Sequence, residues 1–181
     1  MSKIAVIYES HYGYTQKYAK WLAEDLSADL FNGKEVKPAD LQHYDTLLFG
    51  GGLYAGGING ISLITKNFEG IKDKQIAVFT CGLADPSKET FAIEISERMK
   101  KYFSPEMMTK IAIFHLRGGM DYSKLSFKHK SMMAMLHKMV QKKAPEELTN
   151  DEKGILATYG KSVDFSDRST IAPVLDFVRE G

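Results

Sequence analysis

The chain has 181 residues, 44% of them hydrophobic and 26% charged, with a formal net charge of +1 and one cysteine, Cys81. This balance suits a globular chain with a sizeable core and excludes a disordered one. Near-neutrality argues against a dedicated nucleic-acid binder, which carries a strong basic excess, and a lone cysteine excludes an intrachain disulfide.

The first apolar run, Ile4–Tyr8, is short and β-branched and reads as a buried strand. Beyond it, Tyr18, Trp21, Leu22 and Leu26 fall at helical spacing, which predicts a helix over Thr15–Leu26. Leu30-Phe31 is a weak strand placed only by its position. Thr46–Phe49 is the third strand, followed by the glycine-rich Gly50–Gly57 (GGGLYAGG) and a helix expected near Ile58–Phe68. The fourth strand, Ile76–Thr80, runs into Thr80–Asp85 (TCGLAD) and a helix over Lys88–Tyr102. The fifth strand is Ile111–Leu116, and a last helix is expected near Thr170–Arg179. Apolar strands alternating with amphipathic helices predict a parallel sheet covered by helices on both faces.

One stretch breaks this rhythm. About fifty residues, from about 117 to 167, separate the fifth strand from the closing helix, where a short loop is the rule. Within them Met132, Met135, Leu136, Met139 and Val140 share one helical face, and a second helical pattern covers Leu148–Tyr159. The expectation is a single domain over 1–181 with a helical insertion. No apolar run approaches the ~18 residues of a membrane span, and Met1 leads directly into the first strand without the regions of a secretory leader. A cytoplasmic chain is therefore expected.

Chemistry is expected at the loop Ser10-His11-Tyr12-Gly13-Tyr14-Thr15. A polar turn between a strand and a helix N-terminus aims unpaired N–H groups and the helix dipole at one place, which suits an anion. No Lys stands where a P-loop needs one to reach the outer phosphates. Gly13 alone does not supply the Gly-x-Gly-x-x-Gly of a dinucleotide site. The third strand ends in Gly50-Gly51-Gly52, without an Asp to phosphorylate as in a receiver domain. What remains is a set of hydroxyls and amides fit for a phosphate monoester, or a polar turn that merely caps a helix through Thr15. At the other strand ends, glycines permit close approach of backbone to a flat ring, on which Tyr54 could stack; the alternative is a mobile turn with a rim aromatic. Cys81 reads as a small buried hydrophobe.

Ser10–Thr15 resembles the flavodoxin phosphate loop Ser/Thr-x-Thr-Gly-x-Thr, with Tyr12 in place of the usual Thr. Thr80–Asp85 resembles the Cys-Gly-Asp loop of the same family, with Leu83 where Asp stands. The resemblance implies a flavodoxin-like three-layer sandwich with sheet order 2-1-3-4-5. It implies FMN held by Ser10, His11, Tyr12, Gly13, Tyr14 and Thr15, by Gly52, Leu53, Tyr54, Ala55 and Gly56, and by Thr80, Cys81, Gly82, Leu83, Ala84 and Gly118. No metal is expected. Electron-carrying flavodoxins are typically acidic and steer toward basic partners, whereas this chain is near neutral.

The insertion suggests a branch of the family. Between Ser123 and Ala144 it carries Lys124, Lys128, Lys130, Lys138, Lys142 and Lys143 and no acid, so with the Met face it reads as a basic amphipathic helix. Such a helix lies on an anionic membrane or partner, or else covers the domain's own core. Its place and the overall length resemble the menaquinone-dependent protoporphyrinogen oxidases. That implies a porphyrin substrate, a quinone acceptor and contact with the inner face of a membrane. The second loop here, Leu53-Tyr54-Ala55-Gly56, lacks that branch's basic residue. Two other classes stay open: an electron-transfer protein serving a redox partner, and a non-redox binding domain on the same fold.

Overall fold

A strand that is apolar at consecutive positions must bury both of its faces, and the three innermost strands of the sheet do. In the computed structural model, which describes residues 2–54 and 56–181, the central strands are β1 (Ile4–Glu9), β2 (Asp29–Asn32), β3 (Thr46–Tyr54), β5 (Gln75–Gly82) and β6 (Ile111–Arg117). They pair in parallel in the order β2-β1-β3-β5-β6, which is the expected 2-1-3-4-5 once the two-residue β4 (Gly57–Ile58) is set aside. Register follows the pleat. Ile7, Phe49 and Val78 are buried in one core cluster, while Val6, Leu48, Ala77 and Phe79 are buried in another. Helices α1 (Tyr14–Leu26) and α8 (Ala172–Glu180) supply Tyr18, Leu22, Val174 and Val178 to the second cluster. The short α2 (Ser62–Thr65) and α3 (Phe68–Ile71) and the longer α4 (Glu89–Met99) supply Ile64, Phe68, Phe91 and Ile95 to the first.

The helix expected near 58–68 does not form as one element. Leu53-Tyr54 pairs back on Gly57-Ile58 in an antiparallel hairpin, and Gly60 takes φ +70°, which ends any helix path before α2. The third strand is correspondingly longer than its apolar core. A short α5 (Pro105–Lys110), with Ser104 as N-cap and Pro at its start, escaped the periodicity reading.

The stretch after β6 folds into β7 (Gly119–Asp121), α6 (Phe127–Val140), α7 (Asn150–Thr158) and β8 (Ser162–Asp164). β7 and β8 pair antiparallel through Met120 and Val163, so the insertion leaves and returns through a two-stranded neck. Ser126 caps α6, and a capping box of Thr149 and Glu152 starts α7. Arg98 of α4 pairs with Asp151, and the Asn150 N–H donates to the Glu94 carboxylate at 3.0 Å, which moors α7 to α4. α6 in turn rests on α7, with His137 stacked on Tyr159 at 3.8 Å and Lys143 on Glu152 at 2.6 Å. The insertion lysines are thus not all unopposed, since Lys124 also meets Asp121 at 3.4 Å. Among the described residues, no helix is long and apolar enough to cross a membrane.

Candidate functional site

The loop after β1 owes its shape to two residues. Gly13 takes φ +91°, which L side chains rarely adopt, and it is the N-cap of α1. Its N–H donates to the Ser10 hydroxyl at 2.9 Å, and its carbonyl accepts the first helical bond, from the Lys17 N–H at 2.9 Å. The N–H groups of Tyr14, Thr15 and Gln16 therefore have no carbonyl one turn back, and the helix dipole adds to their positive field.

Three strand-end loops and the insertion enclose a cavity of about 430 Å³, within the usual size of a small-molecule site. The first loop lines it with Ser10, His11, Tyr12, Tyr14 and Thr15. The second supplies Gly52, Leu53, Tyr54 and Gly56, and the third Cys81, Gly82 and Leu83. Gly118 closes the floor: a methyl there would lie 2.6 Å from Cys81 Sγ and 3.2 Å from Tyr14 Cβ. Ala55 lies outside the described residues.

Three expected site residues lie off this lining. Gly13 shapes the first loop but does not line the cavity. Ala84 is buried in the main core cluster. Thr80 is buried, and its hydroxyl meets His115 Nδ1 at 2.7 Å behind the cavity. Strand alternation is the reason: if Cys81 faces the cavity, Thr80 faces the opposite side of the sheet. The glycines before the second loop also differ from expectation. A methyl on Gly50 would meet Phe79 Cζ at 2.1 Å, so this glycine makes room for core packing rather than for a ligand.

The expected site residues did not include the roof. Met132, Met133, Met135, Leu136 and Met139 of α6, with Ile155 of α7, cover the loops. The methionine stripe was legible at helical spacing, but the surface it faces was not. Met135 and Met139 are 62% and 58% exposed while lining the cavity, which puts them at its mouth. Arg98 and Asp151 line it as a neutralised pair. His129 of α6 sits 5.9 Å from His11 and 5.6 Å from Tyr54, ring centre to ring centre, and ties the roof to the first two loops. Tyr54 also donates to Met132 Sδ at 3.8 Å.

Burial, then the nearby His129 and Lys34, hold His11 below its ordinary value, and Glu9 opposes them. Burial pushes the Cys81 thiol up to about 12, so it stays protonated and is no nucleophile. His115 is held down at about 4 against an ordinary 6.5, by burial and then by the Arg98 charge. Because the folded chain binds this proton less readily, stability is full above pH 6.5 and falls as pH drops from 6.5 toward 4. The loss expected is on the order of 2–3 kcal/mol. Urea unfolding across that range checks it, and His115→Gln should flatten the profile.

The residues present fit FMN. The first loop offers hydroxyls and free N–H groups for one phosphate, and the glycines and Tyr54 leave room for a flat ring under an apolar roof.

A doubly wound parallel sheet with its site at the strand ends defines the class. The chain belongs to the flavodoxin domain family, whose profile matches residues 5–147. Over 55 residues it is 40% identical to an uncharacterized protein of Methanocaldococcus jannaschii, a match that spans 30% of this chain and 37% of that protein. Among solved structures it is similar to oxidised Flavodoxin 1 from Bacillus cereus (18% identity, 64% of this chain and 86% of that one, TM-score 0.42). It is also similar to the Trp repressor binding protein from Bacillus subtilis (16%, 64% and 83%, TM-score 0.44). A third is a Fusobacterium nucleatum flavodoxin variant bound to flavin mononucleotide (16%, 70% and 74%, TM-score 0.37).

Proposed function

We propose that the protein binds FMN and works as a redox protein. The observation that carries this reading is the convergence of three strand-end loops on one cavity, with a helix N-terminus and hydroxyls at one end and an apolar, glycine-floored slot at the other. FMN supplies the electron chemistry when bound. The chain's own residues bind and orient it: the Ser10 and Thr15 hydroxyls and the α1 amides hold the phosphate, and Tyr54, Leu53 and Leu83 flank the ring. The methionine roof excludes water from it. Heat release and chromatography of the cofactor test the assignment. FMN is expected, and FAD or no flavin contradicts it.

The roof favours an oxidoreductase with an organic substrate over a bare electron carrier, because α6 covers the slot that a carrier leaves open to its partner protein. The narrower reading is a protoporphyrinogen oxidase type that passes electrons to a quinone, tested by turnover with porphyrinogen and quinones. An electron-transfer protein without its own substrate is the alternative, and turnover with neither compound favours it.

We further propose that the protein is cytoplasmic and touches the inner face of a membrane through Ser123–Ala144. Phe127 is 87% exposed at the start of α6, beside Lys128 and Lys130. Near an anionic surface each such lysine contributes about 1 kcal/mol. The protein is expected to co-sediment with anionic vesicles at low salt, less so after Lys128→Glu with Lys130→Glu, and not with neutral vesicles. Indifference to anionic vesicles at low salt removes the membrane contact.

A further inference from the structure

Arg117, the last residue of β6, stands outside the cavity lining and reaches back behind the third loop. Its Nε donates to the Leu83 carbonyl at 3.2 Å, and its Nη1 lies 3.7 Å from the Asp85 carboxylate. The guanidinium stacks on the Phe165 ring at 3.8 Å. The next residue, Gly118, donates its N–H to the Gly82 carbonyl at 2.7 Å, and its own carbonyl accepts the Phe165 N–H at 3.0 Å. Two successive carbonyls of the third loop are thus pinned on the β6 side. A planar trans peptide points its N–H opposite to its C=O. The Leu83 N–H, on the same peptide as the Gly82 carbonyl, therefore turns away from β6, the direction in which the sheet order puts β3 and the second loop. Gly82 and Leu83 themselves line the cavity.

We propose that Arg117 is a positioning residue which, resting on the FMN reading of this site, holds the third loop against the flavin and raises the reduction potential of the bound cofactor. Reduction by two electrons and one proton leaves the flavin ring with a negative charge. A donor fixed beside the ring, with a cation one peptide behind it, favours that form over the neutral oxidised ring. Asp85 neutralises part of the guanidinium charge, so the fixed posture of the loop carries most of the effect. Only the planar fork of an arginine can hold a carbonyl, face a carboxylate and stack on an aromatic at once.

The test is a dithionite titration of the FMN-loaded protein against reference dyes, with FMN affinity measured in both redox states and melting of the FMN-free protein as the folding control. Arg117→Gln is expected to weaken the reduced form about tenfold relative to the oxidised one, a fall of about 30 mV for a two-electron couple. Arg117→Lys keeps the charge but loses fork and stack, and should fall between. Phe165→Leu removes only the stack and should move the potential the same way by less; with Arg117→Lys it carries the test if Arg117→Gln fails to fold. Wild-type potential in these variants overturns the inference alone. A wild-type protein that binds no FMN overturns the functional reading as well.

Discussion

Ser10→Ala and Thr15→Val are each expected to lower FMN affinity about tenfold, and together by up to about a hundredfold, while leaving riboflavin binding unchanged. The Ser10 oxygen already accepts the Gly13 N–H, which leaves its O–H free to donate outward at the helix N-terminus. Thr15 is 3% exposed and lines the cavity, so valine fills the same space without the hydroxyl. A hydrogen bond to a charged group contributes about 1.5–3 kcal/mol, and about 1.4 kcal/mol is tenfold in affinity. The two sites are neighbours, so the double variant need not equal the product. Riboflavin lacks the phosphate and reports whether the ring site survives. Quenching of flavin fluorescence measures all four proteins. Equal losses for FMN and riboflavin would mean that the substitutions damage the ring site instead.

Gly50→Ala is expected to be strongly destabilising. The position lies in β3, paired on one side with Tyr8 and on the other with Phe79. The added Cβ would stand 2.1 Å from Phe79 Cζ and 2.4 Å from its Cε2, and Phe79 is fully buried. Neither strand can retreat without breaking two ladders. Overpacking in a core costs about 1–3 kcal/mol and occasionally more, and a clash with a rigid ring belongs at the upper end. Urea unfolding checks it. Phe79→Leu in the same chain should recover part of the loss, because a leucine can yield where a ring cannot.

The sheet was legible because burial on both faces leaves a mark in sequence. Ile4–Tyr8, Thr46–Phe49, Ile76–Thr80 and Ile111–Leu116 are apolar runs that only a covered parallel sheet accommodates, and they sit side by side as expected. The first loop was legible as a polar turn opening a helix, and the structure brings its Ser10 and Thr15 to the cavity. The hairpin at Leu53–Ile58 was not, because its pairing is only two residues long on each side. Thr80 and Ala84 were assigned by loop membership, whereas side-chain direction depends on pleat phase, and that is fixed only when Cys81 and Gly82 take their places over the cavity. The roof lay beyond reach for a different reason. Helical spacing assigned Met132, Met135, Leu136 and Met139 to one stripe, but the stripe says nothing about what it covers. The neck of β7 and β8, the Arg98–Asp151 pair and the His137–Tyr159 stack decide that, and each joins residues far apart in the chain.

The most direct test of the central claim is a titration of the FMN-free protein with FMN and, separately, with riboflavin, followed by flavin fluorescence. One FMN per chain is predicted, with riboflavin bound at least about tenfold more weakly because the first loop then has no phosphate to hold. FMN left unquenched, or FMN and riboflavin bound alike, would contradict it.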